Sequence, residues 1–142
     1  MNSTQDLPPI RIATALVTGL GGRMLLVRKR GTRVFIQPGG KIEPGEAPID
    51  ALRRELHEEL GLIVSPSSPM YLGRFSAPAA NEPGRLIDAE LFRLPVIQTP
   101  RPGAEIEEAV WVDPEAAAEL DLAPFTRDQV LPLFRAMRDG QP

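Results

Sequence analysis

Residues 10–17, IRIATALV, form an almost continuous apolar run, and residues 23–30, RMLLVRKR, repeat the pattern after the glycine-rich GLGG at 19–22. Two strands joined by a tight turn are predicted. Residues 33–37, RVFIQ, predict a short third strand that ends at Pro38. The period then changes. From Pro48 onward Ile49, Leu52, Leu56 and Leu60 recur at helical spacing until Gly61, which predicts one amphipathic helix with proline in its first turn and glycine at its end. Residues 69–78 and 85–96 read as strands flanking AANEPG at 79–84, rich in turn formers, which reads as a plain hairpin connection in preference to a substrate-side loop. EEAVWVD at 107–113 predicts a further strand, and Asp113 with Pro114 predicts the opening of a short helix over 115–120. Thr126 with Gln129 has the spacing of a capping box for a last helix, which Pro132 should kink or shorten. Strands grouped around one central helix, without a βαβ repeat, predict an α+β or mixed α/β sandwich, as one domain over residues 1–142.

Composition narrows the chemistry more than the fold. With no cysteine, disulfides, zinc-thiolate sites and thiol nucleophiles are excluded, and a single histidine, His57, leaves carboxylates as the available metal ligands. The net charge of −3 gives no basic footprint for a nucleic-acid duplex or an anionic membrane. Residues 1–9 carry no basic stretch ahead of an apolar one, so a cytoplasmic protein, monomer or homodimer, is expected.

Projected at about 100° per residue, the helix gathers Ile49, Leu52, Leu56 and Leu60 in one sector. Glu55, Glu58 and Glu59 fall in the sector beside it, while His57 points elsewhere, toward solvent. Carboxylates held this close repel unless water or a cation intervenes. A rigid cluster of oxygens suits a hard divalent ion, Mg²⁺ or Mn²⁺, of the kind that works with substrate phosphates. The same run read alone also fits a solvated helix face with an Arg54–Glu58 pair.

The spacing around it is more telling: Gly40, five residues, Glu46, seven residues, Arg54-Glu55-Leu56, one residue, Glu58-Glu59, one residue, Gly61-Leu62. In this the chain resembles the Nudix (MutT-like) hydrolases, with the signature complete from Gly40 to Leu62. The resemblance implies an α/β/α sandwich with a mixed sheet. It implies Mg²⁺-dependent cleavage of a nucleoside diphosphate linked to a further group, with Glu55, Glu58 and Glu59 as catalytic metal ligands and the Gly40 carbonyl as another. Glu46 and Arg54 would support the loop through a salt bridge. Family members often draw a further metal-binding acid from the region of AEIEEAVWVD, which offers Glu105, Glu107 and Glu108; an alternating strand favours Glu107 or Glu108.

Outside the signature, Arg28 and Arg30, with Lys29 between them, are candidates for contact with substrate phosphates at the end of the second strand. Trp111 reads as packing rather than as a stacking platform. No GxxxxGK[ST] stretch exists to cradle terminal phosphates. A small-molecule nucleotide is the expected substrate, most simply a ribo- or deoxynucleoside triphosphate cleaved to monophosphate and pyrophosphate. The C-terminal LAPFTRDQVLPLF resembles the end of compact MutT-like triphosphatases, with Arg127 or Asp128 near the place where some purine-specific members carry asparagine. ADP-ribose, nucleotide sugars and dinucleoside polyphosphates fit the same signature, as does a nucleotide-sensing domain without turnover.

Overall fold

The computed structural model describes residues 7–103 and 105–140. The first six residues of the polar N-terminal stretch, and Ala104 at the head of the acidic segment, lie outside the described residues. The order of elements is β1 (Ile10–Thr18), β2 (Met24–Lys29), β3 (Gly39–Lys41), α1 (Pro48–Leu60), β4 (Met70–Pro78), β5 (Leu86–Pro95), β6 (Ile106–Val112), α2 (Pro114–Ala118) and α3 (Leu131–Asp139). The strands form one mixed sheet in the order β4-β5-β1-β2-β6, with β3 paired to β1. β1 and β5 run parallel from Ile10 opposite Ile87 to Thr18 opposite Pro95. The other pairings are antiparallel.

The apolar run of β1 follows from its central place. Ala13, Ala15 and Val17 point into a core beneath α1, where Leu52, Leu56 and Leu60 are fully buried. Leu16 points to the opposite face, into a second core with Val130, Leu131 and Phe134. A strand covered on both faces has no solvent side to mark with polar residues. Each leucine that α1 buries contributes about 1.5–3 kcal/mol, which fixes the helix by its apolar stripe and leaves the adjoining face to carry charge. The α/β/α sandwich expected from the sequence is the architecture observed.

Residues 33–37 differ from expectation. Only isolated bridges form there, Val27 with Ile36 and Phe35 with Leu122, and the third strand lies further on, at Gly39–Lys41. β1 and β2 pair where the tight turn joins them, at Thr18 and Met24, and then part. Residues 36–41 enter the gap: Ile36 exchanges backbone hydrogen bonds with Val27 at 2.8 and 3.0 Å, and Ala15 N–H donates to Pro38 O at 3.0 Å. Gly39 there has φ 143°, and a Cβ on it would lie 2.2 Å from Ala13 O. Glycine at 39 and 40 is thus the condition for inserting a strand.

The last helix also departs from expectation. Thr126 makes no capping bond, and Gln129 donates instead to Ser76 O at 2.7 Å. Residues Thr126–Val130 form a π-helical turn, and Pro132 sits in the first turn of α3 rather than kinking it. A wide turn ahead of the proline accommodates its missing N–H. Asp113 caps α2 as expected, accepting from Ala116 N–H at 2.8 Å, although α2 ends at Ala118.

Gly39→Ala is expected to lower unfolding free energy in urea by about 2–4 kcal/mol, because φ and the Ala13 carbonyl both oppose a side chain. Gly61→Ala, which meets only Arg101 atoms at 3.8–3.9 Å, should cost about 1 kcal/mol. Equal losses would refute the tight approach at Gly39.

Candidate active site

Two anchors hold α1 beside β3. At its C-terminal end Gly61 N–H donates to His57 O at 2.9 Å, Arg101 N–H to Leu60 O at 2.8 Å and Gly103 N–H to Glu59 O at 2.7 Å. The helix end is therefore tied to the segment leading into β6. At the front, Arg54 sets a planar fork on Glu46, with Nε to Oε2 at 2.9 Å and Nη2 to Oε1 at 2.8 Å. Nη2 also donates to Lys41 O at 3.1 Å, and Nη1 to Glu55 Oε2 at 2.6 Å. Hydrogen bonds from Arg54, and from Glu43 N–H, lower the Glu46 pKa from 4.5 to about 2, while Glu46 raises that of Arg54 further. Glu46 and Arg54 join the loop before α1 to the helix, the pairing expected for them.

Between β3, α1 and the start of β6 lies an open cleft of about 560 Å³. Glu55, Glu58 and Glu59 line it from α1, with Glu43 and Glu105 at its margins and Lys29 and Lys41 as its cations. Glu55 lies directly on Gly40, where a Cβ would stand 2.4 Å from its carboxyl carbon. Glu58 is exposed, and its ion pair with Arg54 is long, at 3.8 Å. Glu59 is buried, 8% exposed, and accepts from Gly39 N–H at 3.3 Å. Burial, only partly offset by that hydrogen bond and by Lys29, raises its pKa from 4.5 to about 7. Among the described residues no three acidic or histidine side chains already converge as an ion cage. The carboxylates line one space without meeting at one point, and the donors that α1 presents to it are all oxygen, a set suited to a hard divalent cation.

The basic run sorts by strand alternation. Arg28 pairs with Glu108 across β2 and β6 at 3.2 Å, and Arg30 pairs with Glu107 at 2.7 Å. Neither lines the cleft, and neither do Glu107 and Glu108; Lys29, of opposite phase, does, and Glu105 supplies the acid from that segment. Alternation within RKR is the signal that separates Lys29 from its neighbours. Trp111 packs against the core under α1, and His57 is exposed, as expected.

A second, smaller cavity of about 180 Å³ adjoins the first. Ile12, Ile36, Ile87 and Phe125 form its apolar walls, and residues 79–82 close one side, so the β4–β5 connection is more than a hairpin. Lys29, Gly40 and Lys41 border both spaces. Arg127 and Asp128 are exposed and pair with each other at 2.8 Å; Ala123, Phe125 and Thr126 are the residues of that stretch that line the cavity.

Comparison with known proteins accords with this arrangement. The NUDIX domain model matches residues 8–134. Over 105 residues the chain is 34% identical to the CTP pyrophosphohydrolase of Escherichia coli strain K12, covering 73% of each protein. The solution structure of the E. coli ORF135 protein superposes with a TM-score of 0.74 at 29% identity, over 96% of this chain and 95% of that one. The MutT protein of Methanosarcina mazei Go1 shares the fold, with a TM-score of 0.76 at 22% identity over 96% and 99% of the two chains. Fold and cleft define a mixed α/β domain with a carboxylate-lined site. The chain belongs to the Nudix family and is a Nudix hydrolase. Among the described residues no helix is long and apolar enough to cross a membrane.

Two outcomes follow for pH. The Glu46 contribution to stability is fully present above its unfolded pKa of 4.5 and lost as pH falls through about 2. Glu46→Gln should therefore lower the thermal midpoint at pH 7 by several degrees, and the gap to wild type should close between pH 4.5 and 2; an unchanged midpoint at pH 7 would remove Glu46 from the support of the loop. Glu59 has the opposite sign: its contribution is fully present below 4.5 and lost as pH rises through about 7. With EDTA present, Glu59→Gln should become more stable than wild type above pH 7, by up to about 3 kcal/mol in denaturant titration. No gain at pH 8 would contradict the burial of an ionised carboxyl there.

Proposed function

We propose that the protein is a Mg²⁺-dependent pyrophosphohydrolase that cleaves nucleoside triphosphates to monophosphate and pyrophosphate. The observation that carries this reading is the adjacency of the two spaces: a carboxylate-lined cleft opening beside an apolar cavity, with Lys29, Gly40 and Lys41 common to both. A molecule anionic at one end and flat and uncharged at the other fits that pairing. The name of the E. coli relative, which acts on CTP, points the same way.

In this reading Glu55, Glu58, Glu59 and the Gly40 carbonyl hold Mg²⁺ or Mn²⁺, with Glu105 rather than Glu107 or Glu108 as the added acid. A divalent ion so held supplies charge against the phosphate oxygens and lowers the pKa of water. The protein does the rest by position. Lys29 faces the phosphates from the sheet and offsets charge that builds as the anhydride bond breaks. Glu58, exposed and only loosely paired at 3.8 Å, takes the proton of the attacking water on its carboxylate. Arg54, by gripping Glu46 and Glu55 together, keeps the loop and the ligand set in register.

Glu58→Gln is expected to lower turnover at saturating substrate by about a hundredfold or more while circular dichroism stays unchanged, and Glu46→Gln should cost less. Hydrolysis of several nucleoside triphosphates in ¹⁸O-labelled water, with and without EDTA, tests the reaction. Metal-dependent release of monophosphate and pyrophosphate supports it. Diphosphate with orthophosphate, or full activity in EDTA, would overturn it.

A further inference from the structure

Two residues in the wall of the apolar cavity carry polar atoms that the protein leaves without hydrogen bonds. Gln37 is 5% exposed and Thr126 1%, both line the cavity, and neither Gln37 Oε1 nor Thr126 Oγ1 has a partner among the described residues. Buried polar atoms are nearly always paired, so two orphans in one small space mark where a ligand's polar edge belongs.

The remainder of the Gln37 side chain decides which kind of edge. Its Nε2 donates to Ala15 O at 3.1 Å and lies 3.7 Å from Met24 Sδ. The reverse amide orientation would set oxygen against the Ala15 carbonyl, acceptor against acceptor, so the network assigns the nitrogen inward and the oxygen as the atom left over. That oxygen accepts and has no proton to give. Thr126 Oγ1 can do either.

We propose that the cavity receives the nucleobase and that Gln37 is a specificity-determining residue, selecting bases with an amino group at C4 of a pyrimidine or C6 of a purine, cytosine or adenine, over their oxo counterparts, uracil and hypoxanthine. This rests on the nucleotide reading of the adjoining cleft. An amino group completes the valence of Gln37 Oε1, whereas a carbonyl in its place sets two acceptors together where water cannot intervene, and the base is rejected. Thr126 bonds a second polar atom of the base and serves amino and oxo bases alike. The apolar walls, Ile12, Ile36, Ile87 and Phe125, suit the faces of the ring.

The test compares kcat/KM for CTP against UTP and for ATP against ITP, and in parallel the calorimetric affinity for CMP, UMP, AMP and IMP, using wild type, Gln37→Leu and Thr126→Val. Wild type should favour the amino member of at least one pair by about tenfold or more in both measurements. Which pair shows it tells a pyrimidine pocket from a purine one. In Gln37→Leu the ratio should collapse to within about twofold, through KM rather than kcat. Thr126→Val should weaken amino and oxo partners together. Should Gln37→Leu fail to fold, the wild-type ratios decide by themselves. Equal use of amino and oxo partners, or a preference that persists in folded Gln37→Leu, overturns the proposal and leaves triphosphate hydrolysis standing. Absence of triphosphate turnover alongside tighter binding of CMP or AMP than of UMP or IMP overturns the hydrolysis reading and leaves this one standing. Absence of both turnover and binding overturns both.

Discussion

The approach of residues 38–40 to β1 is the contact on which the rest of this molecule depends. Pro38 O accepts from Ala15 N–H and from the Thr14 hydroxyl, and Gly39 passes so close to Ala13 that a side chain has no room. Because the backbone is wedged there, Gly39 N–H faces Glu59 and Gly40 lies under Glu55, so a few residues of inserted strand place two carboxylates of α1. The same wedge parts β1 from β2, and the smaller cavity lies against this junction, with Gly39 and Gly40 in its wall. Cleft and cavity are two consequences of one packing decision.

Charge is distributed about that wedge unevenly. One guanidinium holds Glu46 in a fork, touches Glu55 and reaches Glu58, so three carboxylates share a single cation near the helix front. Glu59, further in, has no such partner and keeps its proton toward neutral pH. The cleft therefore combines carboxylates already committed to arginine with one that ionises reluctantly. Three carboxylates against one guanidinium still leave unspent attraction for positive charge, in keeping with a family that generally uses divalent metal ions.

Much of this was legible in the chain because it is local and periodic. The stripe from Ile49 to Leu60, the stop at Gly61, the strands on either side and the spacing from Gly40 to Leu62 each follow from a period or from a residue with one conformational use. What escaped depends on partners remote in sequence. β3 was hidden because glycines signal turns, and nothing local reveals that Ala13 will come within a side chain's width. Arg28, Arg30, Glu107 and Glu108 look like site residues individually, yet β2 and β6 set Arg28 opposite Glu108, and Arg30, just beyond β2, is ion-paired with Glu107. Glu105 gains its place because residues 101–103 are stitched to the end of α1. Gln37 and Thr126 carry no sequence signal, since an orphaned hydrogen bond exists only once every other partner has been placed.

The parallel pairing of β1 with β5 bears on how the molecule assembles. Ile10 must find Ile87, and every residue that lines the carboxylate cleft, Glu105 excepted, lies in the chain between them. Closing so long a loop is slow compared with forming a helix or a hairpin. The α1 helix and the β4–β5 hairpin can therefore form early, but the sheet that unites them closes late, and only then does Gly39 reach Ala13. A nascent or partly unfolded chain carries its acidic helix without the wedge that organises it, so competence for chemistry arrives with the last cooperative step of folding.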